Sequence, residues 1–565
     1  MTTFAGPPLA TFEGVGALTM GGFLDDVAER FGPREALVFD DRMRAGATVR
    51  WTYADLRAEA RRVGRGLVGL GVGRGDAVGI LMGNRPEAVA SIFGAGLAGA
   101  VAVPMSTFAP GPELAFMVDR AQVTLVLTQD RLLARRFGDD LAALAPELPS
   151  LRRIVVVGLS PDGDGGGRAT APARLLAWDD LLAGAGAVDP SDLRRRTDAV
   201  TPDDDALVTF SSGTTSTPKA ILHCHRAPAL QFWVQAQIFG RDEHTRMWSA
   251  LPLFWTAGLN TAMGATLAAG GCWVMQETFE PGEALGLLER ERATEPYTLP
   301  HQTAALEEHP DWAGADLSSL TCVFGKSAYA RHPTVTGDTR WRMPVGYGLS
   351  ETCAFFAAHW WSTPRELART STGRLLPGNR LRVVDPDTGE PLGAGESGEL
   401  AVKGPTLMRR YLGTAPADCV DADGFFHTGD VGFVDADGYL HFEGRRTEII
   451  RTAGANVSPA ELEVQLRACP PVKLSRVVGV PDARVGQVVV ACITLKDGAE
   501  ACEADIQSFL RERVSAYKVP KRVLFFDDGQ IPMTGSDTKV RDEALLDIVL
   551  DRLAAGPVPP KSGGR

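Results

Sequence analysis

Thr209-Phe-Ser-Ser-Gly-Thr-Thr-Ser-Thr-Pro-Lys219 lies between two apolar runs, Ala206-Leu-Val-Thr-Phe210 at its start and Ala220-Ile-Leu-His223 at its end. Each run is short and unbroken, as buried strands are, so the segment between them reads as the loop of a hairpin. Ser211, Ser212, Gly213, Thr214 and Thr215 offer hydroxyls and backbone N–H groups that can converge on one anion. Gly213 permits positive φ, and Lys219 adds a positive charge. The spacing is not that of the Gly-rich ATPase loop, which also needs a helix directly after it. A Ser/Thr-rich surface turn is the alternative for this stretch taken alone.

Upstream, strands and helices alternate. Trp51 to Val72 has the spacing of an amphipathic helix, with Leu56, Ala60, Val63, Leu67 and Leu70 on one face. Asp76-Ala-Val-Gly-Ile-Leu-Met82 is a buried strand, Pro86 marks the first turn of the next helix, and Val101-Ala-Val-Pro-Met105 is the next strand. Val123–Leu127 and Arg153–Val157 repeat the pattern, which predicts an α/β architecture with parallel sheets. Ser160 to Pro172, with Gly-Asp-Gly-Gly-Gly, reads as a surface loop.

With 565 residues the chain is too long for one core and is expected to divide into domains. Its net charge of −12 argues against non-specific nucleic-acid binding, although a local pocket can oppose the overall field. No apolar run is long enough for a membrane span, and Met1-Thr-Thr-Phe-Ala-Gly-Pro-Pro8 lacks the regions of a signal peptide. Eight scattered cysteines without a C-x-x-C pair fit reduced thiols, so a cytoplasmic protein is expected. His223-Cys224-His225 is not read as a metal site, because strand alternation turns its members to opposite faces.

Three later segments carry chemistry. Met343-Pro-Val-Gly-Tyr-Gly-Leu-Ser-Glu-Thr352 reads as a strand end, a glycine turn and a helix start. Tyr347 offers a flat face for a base, while Ser350 and Glu351 suit a phosphate and its Mg²⁺. Phe426-His-Thr-Gly-Asp430 places a carboxylate after a glycine, where it can grip two ribose hydroxyls or simply form a β-turn. Past Gly444-Arg-Arg-Thr447, Ser458 as N-cap, Pro459 at the first helical position and Glu461 predict a helix start in a small α+β domain. Arg511 to Lys521 is a basic patch, and the tail from Ala555 is expected to fray.

In this order and at these separations, the segments from Trp51 to Lys539 resemble the adenylate-forming superfamily, most nearly its bacterial acyl-CoA ligases. That superfamily includes acyl-CoA synthetases, firefly-type luciferases and the adenylation domains of peptide synthetases. The resemblance implies a large N-terminal domain of paired α/β sheets plus a β-rich subdomain, residues 1–446. A mobile α+β lid, residues 447–565, would swing about a hinge at Thr447. It implies that Ser211 to Lys219 meets the β- and γ-phosphates of ATP. Gly325, Lys326, Ser327 and Ala328 would lie against adenine, Gly325 also bordering the acyl pocket, and Tyr347 followed by Gly348 would stack on the base. Ser350 would contact the α-phosphate, Glu351 would hold Mg²⁺, and Asp430 with Arg445 would hold the ribose. Lys539 would serve the first half-reaction, and Ala453, Gly454 and Ala455 would line the pantetheine tunnel. Trp255 and Gly258 would lie at the acyl pocket, with Trp255 either walling it or packing in the core; together with Phe355 and Phe356 they suggest an apolar, bulky or aromatic acid, with fatty acids also open.

Several positions depart from the family pattern. Ser216 stands where Gly is common in the phosphate loop, Trp255 where many members carry His, Ala453 where Gly is common, and Thr447 where Asp or Lys is usual. Thr534-Gly-Ser-Asp-Thr-Lys539 lacks the glycine before the lysine and is one residue longer. The expected activity is an acid–CoA ligase using ATP, Mg²⁺ and coenzyme A on a small carboxylic acid. Alternatives are an enzyme that only transfers a preformed acyl-adenylate to CoA, an adenylation enzyme loading a carrier protein, and a non-catalytic nucleotide-binding protein.

Overall fold

The structure, a computed structural model, describes residues 2–159, 174–211, 218–323, 327–336, 346–445, 450–452, 455–482, 486–514, 518–533 and 540–554. Its chain divides into two compact units: Phe4–Leu381 with Val402–Phe426, and Met1–Thr3 with Arg382–Ala401 and His427–Arg565. The surface loop expected at 160–172, the expected hinge position Thr447 and the tail from Ala555 lie outside the described residues.

In the first unit, one mixed sheet runs in the order Arg410–Tyr411, Lys219–Cys224, Asp205–Ser211, Val101–Pro104, Ala77–Leu81, Val123–Gln129, Arg153–Val157 and Arg174–Ala177. From Asp205–Ser211 onward neighbouring strands are parallel, and the two at the other end pair antiparallel. The hairpin predicted around the hydroxyl-rich loop is present, with Ser211 opposite Lys219 and Phe210 opposite Ala220. A second sheet runs Glu295–Pro296, Arg246–Ser249, Cys272–Met275, Glu35–Asp41 and Ala47–Thr52.

Strand alternation sorts the core. Val78 and Ile80 join a cluster with Leu37 and Phe39 of the second sheet and with Phe23, Leu56, Val63 and Phe93 of three helices. Ala77 and Leu81, pointing the other way, join a cluster with Leu114, Met117 and Phe137. Helix Tyr53–Gly69 starts in a reciprocal capping box: Asp55 N donates to Thr52 Oγ1 at 3.1 Å, and Thr52 N donates to Asp55 Oδ2 at 2.9 Å. Its predicted face is buried at Leu56, Ala60, Val63 and Leu67. Pro86 opens helix Pro86–Ala98 as expected.

One expectation changes. Gly346-Tyr-Gly-Leu349 is a strand paired antiparallel with Ala354–Ala358, not a glycine turn, and only the single 3₁₀ turn Ser350–Thr352 follows it. The glycine at 348 serves close approach: a Cβ there would stand 1.9 Å from the Ala354 carbonyl oxygen.

In the second unit, strands Ala455–Val457, Ile450–Thr452, Gly486–Leu495 and Val472–Asp482 form a sheet, with Arg522–Phe525 parallel to Gly486–Leu495. Val489, Ala491 and Ile493 face helices Pro459–Arg467 and Glu503–Arg511, whereas Val490 and Cys492 face helix Asp542–Ala554. The predicted cap is in place, Glu461 N donating to Ser458 Oγ at 3.3 Å with Pro459 at the first helical position. Among the described residues no helix is long and apolar enough to cross a membrane.

Candidate active site

The short strand Arg410–Tyr411 pairs with the second strand of the hairpin, Tyr411 opposite Ile221. Residues two apart on a strand share a face, so Lys219 is the diagonal neighbour of Tyr411. The Lys219 ammonium sits 5.1 Å from the centre of the Tyr411 ring. The Tyr411 hydroxyl in turn donates to Glu351 Oε1 at 2.7 Å, and Met408 N donates to the Glu351 carbonyl at 2.7 Å. Lys219, Tyr411 and Glu351 therefore form one group, with Ser350 beside them in the chain. Tyr411 was not a sequence candidate, because a two-residue strand carries no periodicity to mark it.

His223, fully buried on the same hairpin strand, holds the Ser350 carbonyl at 3.0 Å through Nε2. A carbonyl only accepts, so Nε2 carries the proton. Burial pushes the imidazole down to about 4, the Ser350 contact opposing the shift, and the ring is neutral at pH 7. His225 lies beyond the strand end, where its Nδ1 accepts from Met20 N at 3.2 Å. The two rings go to different partners, and strand alternation is not what separates them, since residues two apart share a face. The register breaks between His223 and Cys224.

The turn after Glu351 is strained and firmly held. Cys353 takes φ 61° and Ala354 φ 149°, both in the region that favours glycine. Such residues cost about 1–3 kcal/mol each and persist only when their surroundings fix them. Here Asn260 Nδ2 donates to the Cys353 carbonyl at 2.6 Å, and Gln231 Nε2 donates to the carbonyls of Thr352 at 3.2 Å and Phe355 at 2.7 Å. Gln235 holds Gln231 at 2.9 Å, Thr261 holds Gln235 at 2.6 Å, and all these side chains are buried. Asn260 and Thr261 belong to a π-helical segment, Ala257–Gly264, a rare form that recurs at functional sites.

Trp255 stands on a loop clamped by Asn84, whose Nδ2 donates to the Leu251 carbonyl at 3.0 Å and whose Oδ1 accepts from Leu253 N at 3.2 Å. Trp255, Phe254 and Phe108 meet edge to face, with ring centres 5.4 to 6.2 Å apart. Phe108 is 56% exposed. Gly258 is required for packing, since a Cβ there would lie 2.1 Å from the Pro252 carbonyl oxygen. Phe356 is buried, and Phe355 is half-buried against Phe239.

Tyr347 is buried in its strand opposite Ala357, and Gly348 is exposed. Ser327 precedes the one-turn helix Ala328–Arg331, and Ala328 is buried. In the second unit Asp430 is buried on strand Phe426–Val434 and meets Arg445 Nε at 3.1 Å across a hairpin. Gly429, at φ 73°, is tied through its N–H to Glu399 Oε1 at 3.0 Å. Ala455 lies on strand Ala455–Val457. Ser212, Gly213, Thr214, Thr215, Ser216, Gly325, Lys326, Thr447, Ala453, Gly454 and Lys539 fall outside the described residues.

Glu351 supplies a hard oxygen donor. Among the described residues no group of three or more His, Cys, Asp or Glu side chains forms a cage for a metal. One carboxylate together with phosphate oxygens and water is the usual setting of Mg²⁺, so the residues present fit that ion.

The family model described as AMP-binding enzyme matches residues 24–412, and that described as AMP-binding enzyme C-terminal domain matches residues 461–537. A feruloyl-CoA synthase from an Amycolatopsis species is 33% identical over 503 residues, covering 87% of this chain and 93% of its own. The anthranilate CoA ligase AuaEII, solved with anthranoyl-AMP, superposes with a TM-score of 0.76 at 25% identity over 95% of this chain and 98% of its own. ATP-bound MatB from Rhodopseudomonas palustris superposes with a TM-score of 0.74 at 26% identity over 94% and 99%.

Proposed function

The chain belongs to the AMP-binding enzyme family of the adenylate-forming superfamily, and on that premise we propose that it is an acid–CoA ligase. It activates a carboxylic acid with ATP as acyl-AMP, then passes the acyl group to the thiol of coenzyme A. The observation that carries this reading is the shared use of Tyr411 by Lys219 and Glu351. A cation at the end of the hydroxyl-rich loop and a carboxylate suited to Mg²⁺ are thereby gathered where a polyphosphate needs both.

In the first half-reaction a carboxylate oxygen bonds to the α-phosphorus while the bond to the β-phosphate oxygen breaks and pyrophosphate leaves. Ser211 to Lys219 receives the departing phosphates, Ser350 meets the α-phosphate, and Lys539 neutralises charge there. Glu351 holds Mg²⁺, which when bound draws charge from the phosphate oxygens. Tyr347 and Gly348, with Lys326, Ser327 and Ala328, hold the adenine, and Asp430 with Arg445 holds the ribose. In the second half-reaction the CoA thiol attacks the acyl carbon and AMP leaves. A domain boundary near residues 446–447, with Thr447 as hinge, lets Ala453, Gly454 and Ala455 line the pantetheine path for this step.

The acid is aromatic. The edge-to-face trio of Trp255, Phe254 and Phe108 is a surface that a further flat ring would suit, and relatives named for feruloyl and anthranilate substrates support that chemistry.

A split assay tests the reading. One arm supplies aromatic acids, ATP, Mg²⁺ and CoA; the other supplies the synthetic acyl-adenylates and CoA. Acyl-CoA in both arms is expected. Product from the adenylate alone would mean that the lengthened Lys539 segment has lost the first step, and silence with CoA but product on a carrier protein would change the acceptor.

A further inference from the structure

We propose that Tyr411 is a positioning residue for the metal-bound nucleotide: its hydroxyl fixes the Glu351 carboxylate and its ring seats the Lys219 ammonium. The inference rests on the reading of Glu351 as the metal carboxylate. A glutamate on a half-buried turn can rotate about its side-chain bonds, and each wrong rotamer withdraws the oxygen a cation needs. The 2.7 Å bond from the Tyr411 hydroxyl occupies Oε1 and leaves Oε2 as the oxygen for the ion. The same short segment also grips the turn through its main chain, Met408 N to the Glu351 carbonyl at 2.7 Å. Glu351 is thus held at two points by residues 408–411.

The other half of the arrangement follows from register. Tyr411 opposite Ile221 puts its ring beside Lys219 on one face of the sheet, and the ammonium lies 5.1 Å from the ring centre. Arg409 N to Leu222 O at 2.8 Å and Leu412 N to Ala220 O at 2.9 Å lock that register on both sides. A tyrosine kept only for edge-strand packing would not need its hydroxyl on the carboxylate next to Ser350. One side chain thus touches both opposite charges, the Lys219 ammonium through its ring and the Glu351 carboxylate through its hydroxyl.

The test uses the full chain with Tyr411→Phe, Tyr411→Leu and, as reference, Glu351→Gln. Mn²⁺ binding in the presence of ATP is followed by the loss of the free-ion electron paramagnetic resonance signal. ATP binding without metal is followed by calorimetry, each well below the variant's melting temperature. Tyr411→Phe keeps the ring and should weaken Mn²⁺ about tenfold while leaving metal-free ATP binding unchanged. Tyr411→Leu should also weaken metal-free ATP severalfold, because Lys219 loses its seat. Wild-type Mn²⁺ affinity in Tyr411→Phe alongside a loss in Glu351→Gln would overturn the role of Tyr411 and leave the metal reading standing. Wild-type affinity in both would overturn the two together.

Discussion

Asn260 Nδ2 lies 2.6 Å from the carbonyl oxygen of Cys353, the first of two positive-φ residues that follow Glu351 by two and three positions. The contact joins the π-helical segment that follows the Trp255 loop to the turn that presents Ser350 and Glu351. Removing the amide strands a buried carbonyl, at a cost of about 1–3 kcal/mol. It also frees the strained turn to relax, and misplacement by an ångström costs about a hundredfold in rate. Asn260→Ala should therefore lower single-turnover acyl-AMP formation about a hundredfold, while turnover of supplied acyl-adenylate with CoA falls less. Asn260→Asp should be no better, since a carboxylate cannot donate to the Cys353 carbonyl. Equal losses in the two half-reactions would reduce the contact to general stability.

Arg85 is the second buried focus. Its guanidinium reaches Glu87 at 2.9 Å, Glu277 at 3.3 Å and Asp41 at 3.4 Å, and it is only 1% exposed. Burial raises the Glu277 carboxyl above its ordinary value, with Arg85 the main opposing influence. Arg85→Met would strand Glu87 and Glu277, while Asp41 keeps Arg44 at 3.4 Å, and breaking a buried pair in this way costs about 3–5 kcal/mol. Urea denaturation is expected to show a loss of that order at pH 7, largely recovered by Arg85→Lys if charge rather than fork geometry matters.

Where sequence and structure agree, the physics is local. The hairpin around residues 211–219 follows from two apolar runs, the helix from Tyr53 from its spacing and cap, and the helix from Pro459 from Ser458 and Glu461. Local patterns did not disclose Tyr411, Asn260, Gln231 or Asn84, because each acts on a partner about 60 to 170 residues away in the chain. The strand at Gly346–Leu349 was misread for a related reason. Its two glycines signal a turn locally, yet at 348 the absent side chain admits the carbonyl of a neighbouring strand.

Acid should weaken the fold before most carboxylates titrate. Burial pushes both His223 and His225 down to about 4, whereas in the unfolded chain each takes a proton near 6.5. Between those values the unfolded state binds more protons, so stability is full above pH 6.5 and falls as pH drops toward 4. Each ring contributes on the order of 3 kcal/mol to that loss by its lower limit. Denaturation midpoints at pH 7, 6 and 5 should decline in step. His225→Asn, whose Oδ1 can still accept from Met20 N, should flatten about half of the decline, and an unchanged slope would assign it to other groups.

If Trp255 borders the acyl group, it should set the acyl preference. Its ring closes an aromatic trio with Phe254 and the exposed Phe108, on a loop that Asn84 fixes at Leu251 and Leu253. An aromatic pair is worth about 0.5–1.5 kcal/mol beyond its buried area, and the lost area of an indole adds more. Trp255→Ala should therefore raise KM for aromatic acids at least tenfold while leaving KM for ATP unchanged. Medium-chain fatty acids should gain relative to aromatic ones as the wall recedes. Trp255→His keeps a flat ring of smaller area and should fall between the two. If kcat/KM drops by the same factor for every acid tried, the indole packs the loop without touching substrate, and the acyl pocket has to be sought elsewhere in the unit.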